Sequence, residues 1–236
     1  GVFQPMITLV GTGHVFNIAG AVSFIVKNSW PDAVLVELDG KRYDALVKGS
    51  SGQGKSGASG FYRRAAEYQD QVSAMNETRT GGELLAAINA GILAGAEIIC
   101  MDVDAEQAVN DMWEEMPMSE KIKYNMSALR DSVFKRRPCK NVGNASAVGD
   151  YVEYMRKRYP TLVRKLIDER DEHMSIQIRK AAETYANVVA VVGDAHVPGL
   201  TALIGRDDVR AIRLDELLDK EKLDKVKARI WDGDTR

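Results

Sequence analysis

The chain carries one short phrase twice, once near each end: an apolar run, a glycine and, three residues later, a histidine. The first copy is ITLVGTGHV at residues 7–15, and the second is VAVVGDAHV at residues 189–197. Apolar runs of this length, rich in valine and isoleucine, are typical of strands that are buried on both faces. In open α/β sheets ligands bind beyond the carboxyl ends of such strands. His14 and His196 are therefore predicted to lie where chemistry is usually done.

Two more apolar runs, at residues 33–38 and 96–101, alternate with segments of helical periodicity, and residues 209–214 are expected to form a last short strand or sheet edge. Strands separated by helices predict an α/β fold with a mainly parallel central sheet and helices on both faces. Residues 61–187 contain more helix than crossover connections need, so this range is expected to contribute much of a helical cap. The length of 236 residues is compatible with a single domain over residues 1–236.

Composition and charge exclude several classes of protein. The net charge is −2, and no basic stripe is present, which argues against binding to nucleic acid. Residues 84–101 form the longest apolar stretch, but Gly91 and Gly95 interrupt it, so we interpret it as a helix followed by a strand and not as a membrane span. The N-terminus has no signal-peptide pattern. Cys100 and Cys139 lack the CxxC spacing of a metal knuckle or a redox pair. Two lone thiols are typical of a reducing compartment such as the cytoplasm.

Acidic residues lie at the ends of the predicted strands or just after them, and they join the two histidines at the carboxyl edge. The acidic residues of this group are Glu37, Asp39, Asp102 and Asp194. Imidazole and carboxylate groups are ligands of zinc, manganese and iron, although the two histidines match no standard zinc motif. A metal-free site is also consistent with these residues, with one histidine as general base toward water and a glutamate that orients it. Alternatively, Glu37 forms only an ion pair with Arg42.

Arg170 is the cation whose position decides how such a site would work. It lies within Glu169-Arg170-Asp171 on a long predicted helix. One hypothesis places Arg170 in the cleft, where it would hold substrate or transition-state charge. The alternative is an exposed side chain that pairs along the helix surface. His173, on the same helix, is expected at the surface.

Two glycine-rich stretches resemble nucleotide-binding motifs. Residues 49–56, GSSGQGKS, satisfy the phosphate-loop pattern. That loop functions only between a strand and a helix, and a low-complexity linker is the better interpretation of residues 49–60. Gly11-Thr12-Gly13 begins a dinucleotide fingerprint, but Phe16 replaces its third glycine. No nucleotide cofactor is expected.

Five segments together resemble the TraB/PrgY family, in the family's own order and over about residues 6–204. They are VGTGHV at 10–15, PDAVLVELD at 31–39 with Arg42 and Tyr43, GELLAAI at 82–88, ERD at 169–171 and VGDAHVPG at 192–199. The family is similar to the TIKI proteins, which are metal-dependent proteases, and distantly to erythromycin esterases. PrgY-type members inhibit a bacterial peptide pheromone.

The resemblance implies a metal-dependent hydrolase of peptidase type, acting on a peptide or protein substrate. It implies that His14, Glu37 and His196 hold a divalent metal ion, manganese, cobalt or zinc. Glu37, Arg42 and Arg170 are the expected catalytic residues. Tyr43 and Asp194 are the expected substrate-binding residues. The alternative function is a non-catalytic peptide-binding inhibitor, and a phosphate-loop nucleotide hydrolase ranks third.

The chain also departs from the family pattern. Relatives commonly carry an Asp-Arg pair after the third strand, whereas Val103 follows Asp102 here. Many members continue into membrane-spanning helices, so membrane attachment is expected only through segments outside this chain. The sequence carries no signal for the oligomeric state.

Overall fold

The computed structural model describes residues 6–13, 16–47, 81–134, 145–207 and 209–231. In this part of the chain five strands form one parallel sheet in the order β3-β2-β4-β1-β5. The strands are β1 (Met6–Thr12), β2 (Ala33–Val36), β3 (Glu97–Cys100), β4 (Asn187–Gly193) and β5 (Val209–Ile212). The predicted α/β fold with a parallel central sheet is confirmed.

Helices connect these strands and cover the sheet. The first helices are α1 (Ala19–Asn28), α2 (Gly40–Val47), α3 (Gly82–Ala94), α4 (Ala105–Glu115), α5 (Met118–Phe134) and α6 (Ala145–Arg158). The later ones are α7 (Pro160–Val163), α8 (Glu169–Thr184), α9 (Val197–Ile204), α10 (Leu214–Leu218) and α11 (Lys220–Trp231). A π-helical segment, Arg164–Asp168, joins α7 to α8.

The apolar strands supply alternate residues to two cores, one on each face of the sheet. Val34 and Val189 face the core that includes α1, α3 and the C-terminal helices. Leu35 and Ala190 face the core that includes α8 and α9. Successive side chains of a strand point to opposite faces, so a strand covered on both sides is apolar at every position. This explains why the central strands β2 and β4 could be recognised from apolar runs, whereas the edge strands β3 and β5 contain Glu97 and Arg210.

The strand order brings the carboxyl ends of β2, β4 and β1 side by side. Thr12 pairs with Gly193, and Val36 pairs with Val191. The backbone N–H of Glu37 continues this ladder and donates to Val191 O at 3.1 Å. Residues that follow these three strands therefore share one edge of the sheet. His14, which follows β1, lies outside the described residues.

A third, smaller core lies beyond that edge. Val109 and Met112 of α4, together with Met116 at its C-cap, pack against Leu162 of α7 and Leu166 of the π-helical segment. Within the predicted cap range of 61–187, α3 and α8 cover the sheet instead, and residues 61–80 are outside the described part. The segments that form the separate core therefore lie between the starts of α4 and α8.

The apolar stretch of residues 84–101 is a helix followed by a strand, as predicted, and Gly95 separates the two. Gly95 has φ +78°, and its N–H donates to Ile92 O at 3.1 Å. A left-handed glycine of this kind is a common helix C-cap. Among the described residues, no helix has the length and apolar character needed to cross a membrane.

The C-terminal helical segment is divided at Asp219 into α10 and α11. Asp219 has an extended backbone, and its carboxylate accepts a hydrogen bond from Lys222 N at 2.9 Å. This side-chain cap starts a new helix.

Candidate functional site

Glu37 lies at the centre of the carboxyl edge, directly after β2. Its side chain is buried, and Oε2 accepts a hydrogen bond from Gly193 N at the end of β4, at 2.6 Å. A Cβ at position 193 would lie 3.3 Å from that oxygen, a tight contact. Oε1 accepts a hydrogen bond from Arg170. The carboxylate of Glu37 is therefore fixed from two sides.

His196 lies between two carboxylates. Its Nδ1 is 2.6 Å from Asp171 Oδ1 on α8, and its Nε2 is 3.4 Å from Glu37 Oε1. The imidazole is only 4% exposed, and the Asp171 side chain is equally buried. A histidine whose Nδ1 donates to a carboxylate has a fixed ring orientation and presents Nε2 to the other partner. Here that partner is Glu37.

The carboxylates of Glu37 and Asp171 change the pKa of the His196 imidazole. Burial disfavours the charged form of His196, but the negative charge of Glu37 and the hydrogen bond to Asp171 outweigh it and raise the pKa of His196 to about 9. Burial raises the pKa of Asp171, although the hydrogen bond to His196 opposes this. Without a bound cation, His196 is therefore an imidazolium at neutral pH.

Arg170 points into the protein and joins Glu37 to Asp102. Its side chain is 14% exposed. Arg170 Nε donates to Asp102 Oδ1 at 2.9 Å and Nη2 to Asp102 Oδ2 at 2.7 Å, while Nη2 also bonds Glu37. Burial opposes the guanidinium charge, but Glu37 and Asp102 prevail and raise the pKa of Arg170. Of the two hypotheses for this residue, the structure shows the inward orientation.

Arg42 is a second arginine that contacts Asp102. It contacts Asp102 Oδ2, and its Nε donates to Asp39 Oδ2 at 2.7 Å. Its Nη2 reaches the backbone oxygen of Glu37 at 3.3 Å, whereas the Glu37 carboxylate is bonded to Arg170. The alternative in which Glu37 forms only an ion pair with Arg42 is therefore wrong. The carboxylates at the strand ends are paired, as their burial requires.

The two predicted substrate-binding residues lie elsewhere. Asp194 is held by Arg213, whose Nε and Nη2 donate at 2.8 and 2.7 Å, and it accepts a third hydrogen bond from Leu214 N at 2.8 Å. Asp194 therefore ties the end of β4 to the segment after β5. Tyr43 packs against the apolar core on the α1 face of the sheet. In the part of the chain that the structure describes, neither side chain hydrogen-bonds the Glu37 carboxylate.

Asp171 is the residue of this cluster that the sequence did not single out. It leads a buried stripe on α8 whose other members are Met174, Ser175, Ile178, Ala181 and Ala182. Members of this stripe are three or four positions apart, the spacing of one helix face. A carboxylate in line with apolar residues must have a buried partner. That signal was available in the sequence, but the identity of the partner was not.

The π-helical segment ends at Asp168, two residues before Arg170. One wider turn shifts the rotational phase of a helix, and such segments are frequent at functional sites. In the same region Arg170 Nη1 donates to Leu166 O at 3.1 Å, inside that segment. Arg170 contacts Asp102, and the next residue of α8, Asp171, contacts His196.

The arrangement around His196 is compatible with a metal site. Metal-ligating histidines usually donate their second nitrogen to a carboxylate, as Nδ1 does here to Asp171. Two ligands at about 2.1 Å in a tetrahedral site are about 3.4 Å apart, which is the Nε2 to Oε1 separation between His196 and Glu37. Among the described residues no group of three or more metal-binding side chains is assembled. His14, the predicted third ligand, is not among them.

Sequence comparisons cover the same region. A sequence model of the TraB/PrgY/gumN family matches residues 4–207, a range that includes the site from β1 to α9. An uncharacterized protein of Methanocaldococcus jannaschii is similar to this chain, and the two are 24% identical over a region that covers 94% of this chain. The chain spans 59% of the length of that relative.

Proposed function

This chain belongs to the TraB/PrgY/gumN family, and we propose that it is a metal-dependent hydrolase with its active site at the carboxyl ends of β2 and β4. The observation that carries the proposal is the placement of His196. Its Nδ1 is held by Asp171, and its Nε2 faces Glu37. This is the environment in which a histidine serves as a ligand or as a general base.

The proposed ligands of the metal are His196, Glu37 and His14. When bound, a divalent ion would lower the pKa of a coordinated water and polarise a substrate carbonyl. The hydrogen bond from His196 to Asp171 keeps a proton on Nδ1 and leaves the Nε2 lone pair available. The Gly193 N–H and Arg170 orient the carboxylate of Glu37.

Arg170 has a second role in the proposal, because it brings positive charge to the edge where an oxyanion would form. Asp102 fixes its guanidinium through two parallel hydrogen bonds, a geometry that only arginine provides. Arg42 bonds the same carboxylate and thereby balances its charge. These residues form a preorganised electrostatic frame for the reacting group.

The proposed substrate is a peptide or an exposed protein terminus. The support for this class is the resemblance to the TIKI proteases. A second candidate, a peptide-binding inhibitor of signalling, is favoured by a different observation. Both oxygens of Glu37 already accept hydrogen bonds from protein donors, as they would in a static ion-pair network. Such a site would bind a peptide without cleaving it.

The test is cleavage of a mixed peptide library by the protein loaded separately with manganese, cobalt or zinc, and analysed by mass spectrometry. Glu37→Gln should abolish cleavage, whereas Glu172→Gln, at an exposed position of α8, should retain it. Retention of peptides without cleavage under every metal would favour the inhibitor. Cleavage that survives Glu37→Gln would overturn the proposed site.

A further inference from the structure

A cleft of about 370 Å³ lies between α4 and α8, and Arg170 is one of its lining residues. This volume is in the range of small-ligand sites. Gln107 and Asp111 line it from α4, and Lys165, Arg170 and His173 line it from the π-helical segment and α8. Because Arg170 also bonds Glu37, a group bound in this cleft would lie one side chain away from the proposed active site.

Most charges along the cleft are neutralised by neighbouring residues. Lys165 bonds Glu115 and Glu169, at 2.6 and 2.9 Å, and Arg170 is held by Glu37 and Asp102. An anionic ligand would therefore have to compete with two carboxylates for either cation. The cleft is poorly suited to a carboxylate or a phosphate.

The acidic residues that line the cleft differ in whether a neighbouring group pairs with them. Asp104 bonds Lys41 at 2.6 Å and caps α4 through Glu106 N at 3.0 Å, and Glu169 is bonded to Arg164 and Lys165. Within the described residues, the Asp111 carboxylate has no hydrogen bond or ion pair. Asp111 is half-buried. A negative charge that is partly removed from water and unpaired favours a cationic ligand.

The residues beside Asp111 also suit a cationic ligand that donates hydrogen bonds. Gln107 lies one turn earlier on the same face of α4, and in the described part of the chain its side-chain amide has no partner. Ala108 and Val103 supply apolar surface beside them. The cleft thus offers one carboxylate, one amide and a short aliphatic wall.

We propose that this cleft is a substrate subsite that binds a primary ammonium group of a peptide through Asp111 and Gln107. The inference rests on the proposed function, because it places the bound peptide beside Arg170 and Glu37. The ammonium can be supplied by the peptide N-terminus or by a lysine side chain. Both sources offer a compact cation with several N–H donors. The side-chain oxygens of Asp111 and Gln107 can accept hydrogen bonds from these donors.

Three alanine pentapeptide amides test the proposal by calorimetry in the presence of a chelator, so that neither metal nor hydrolysis is needed. One has a free N-terminus, one is N-acetylated, and one is N-acetylated with a central lysine. The free or lysine-containing peptide should bind about tenfold more tightly than the acetylated alanine peptide, as expected for a charge-assisted hydrogen bond. The arm that shows the gain identifies the source of the ammonium.

Asp111→Asn keeps the side-chain shape and should remove this preference. Glu114→Gln removes the same charge from an exposed position of α4 and should retain it. Equal binding of all three peptides, an unchanged preference in Asp111→Asn, or no binding at millimolar concentration would each overturn the subsite. Binding with the expected preference but without cleavage in the metal-loaded assay would instead contradict only the hydrolase.

Discussion

Gly199 and Asp171 lie in direct contact: a Cβ at position 199 would be 2.0 Å from Asp171 Oδ2. Gly199 is in the first turn of α9, just after His196, and Asp171 is on α8. The carboxylate therefore reaches the imidazole across a helix contact that only glycine allows. The hydrogen bond that orients His196 depends on the absence of a side chain three residues away.

Gly199→Ala should displace Asp171 from His196. Overpacking at such a contact typically destabilises by about 1–3 kcal/mol, and the loss of orientation should also reduce activity. Urea unfolding measures the change in free energy. Gly20→Ala is the control, because no atom lies within 4 Å of a Cβ placed there. If both substitutions have the same effect, the close contact is not important.

Arg170→Lys should impair activity while retaining the positive charge. An ammonium cannot replace the two parallel hydrogen bonds to Asp102 together with the bond to Glu37. Because the substitution disrupts buried ion pairs with Asp102 and Glu37, it should also lower the free energy of unfolding, by at most about 3–5 kcal/mol. Arg179→Lys serves as the comparison, since exposed Arg179 bonds Leu203 O at 3.0 Å. Activity of Arg170→Lys close to that of the parent would contradict the role of the guanidinium.

Stability in the presence of a chelator should decrease as the pH rises from about 6.5 to about 9. The pKa of His196 is about 9 in the folded chain and about 6.5 in the unfolded chain. Protonation therefore favours the folded state below this window, and the contribution is lost as the imidazole deprotonates at higher pH. The expected size is up to about 3 kcal/mol.

Urea unfolding at pH 6, 7.5 and 9.5 measures this dependence. His196→Gln should flatten the decrease, and His173→Gln should retain it. A parent protein whose stability is constant across this window would show that His196 is not held as an imidazolium between Glu37 and Asp171.

Lys55→Ala concerns residues 49–60, which lie outside the described part of the chain. If they are a linker, the substitution should leave stability unchanged, and Mg-ATP should not raise the melting temperature of either protein. A ligand stabilises only a state to which it binds. Thermal denaturation with and without Mg-ATP is sufficient. A rise of several degrees that Lys55→Ala abolishes would establish a phosphate loop.

The fold was largely predictable because both faces of the sheet are covered. Strands such as 189–192 are apolar at every position, so their ends, and the residues that follow them, could be located from the sequence. The grouping of Glu37 with His196 followed from this placement. It was not necessary to know any side-chain contact.

The connections inside the site were less accessible to sequence reasoning. Asp171 contacts His196 where α8 packs beside α9. Neither this packing nor the preceding π-helical segment has a simple sequence signal. Asp194 follows the same strand as His196, yet it turns toward Arg213 and Leu214. Position at a strand end therefore indicates the edge of the sheet but not the direction of each side chain.

Metal content tests the central claim most directly. The parent, His196→Ala and His173→Ala proteins would be purified without chelator, loaded with manganese, cobalt or zinc, freed of unbound metal and analysed for bound ion. We expect about one ion per chain in the parent and in His173→Ala and almost none in His196→Ala, with the fold retained. A parent protein that retains no ion, or His196→Ala that retains as much as the parent, would contradict a metal-dependent site at His196.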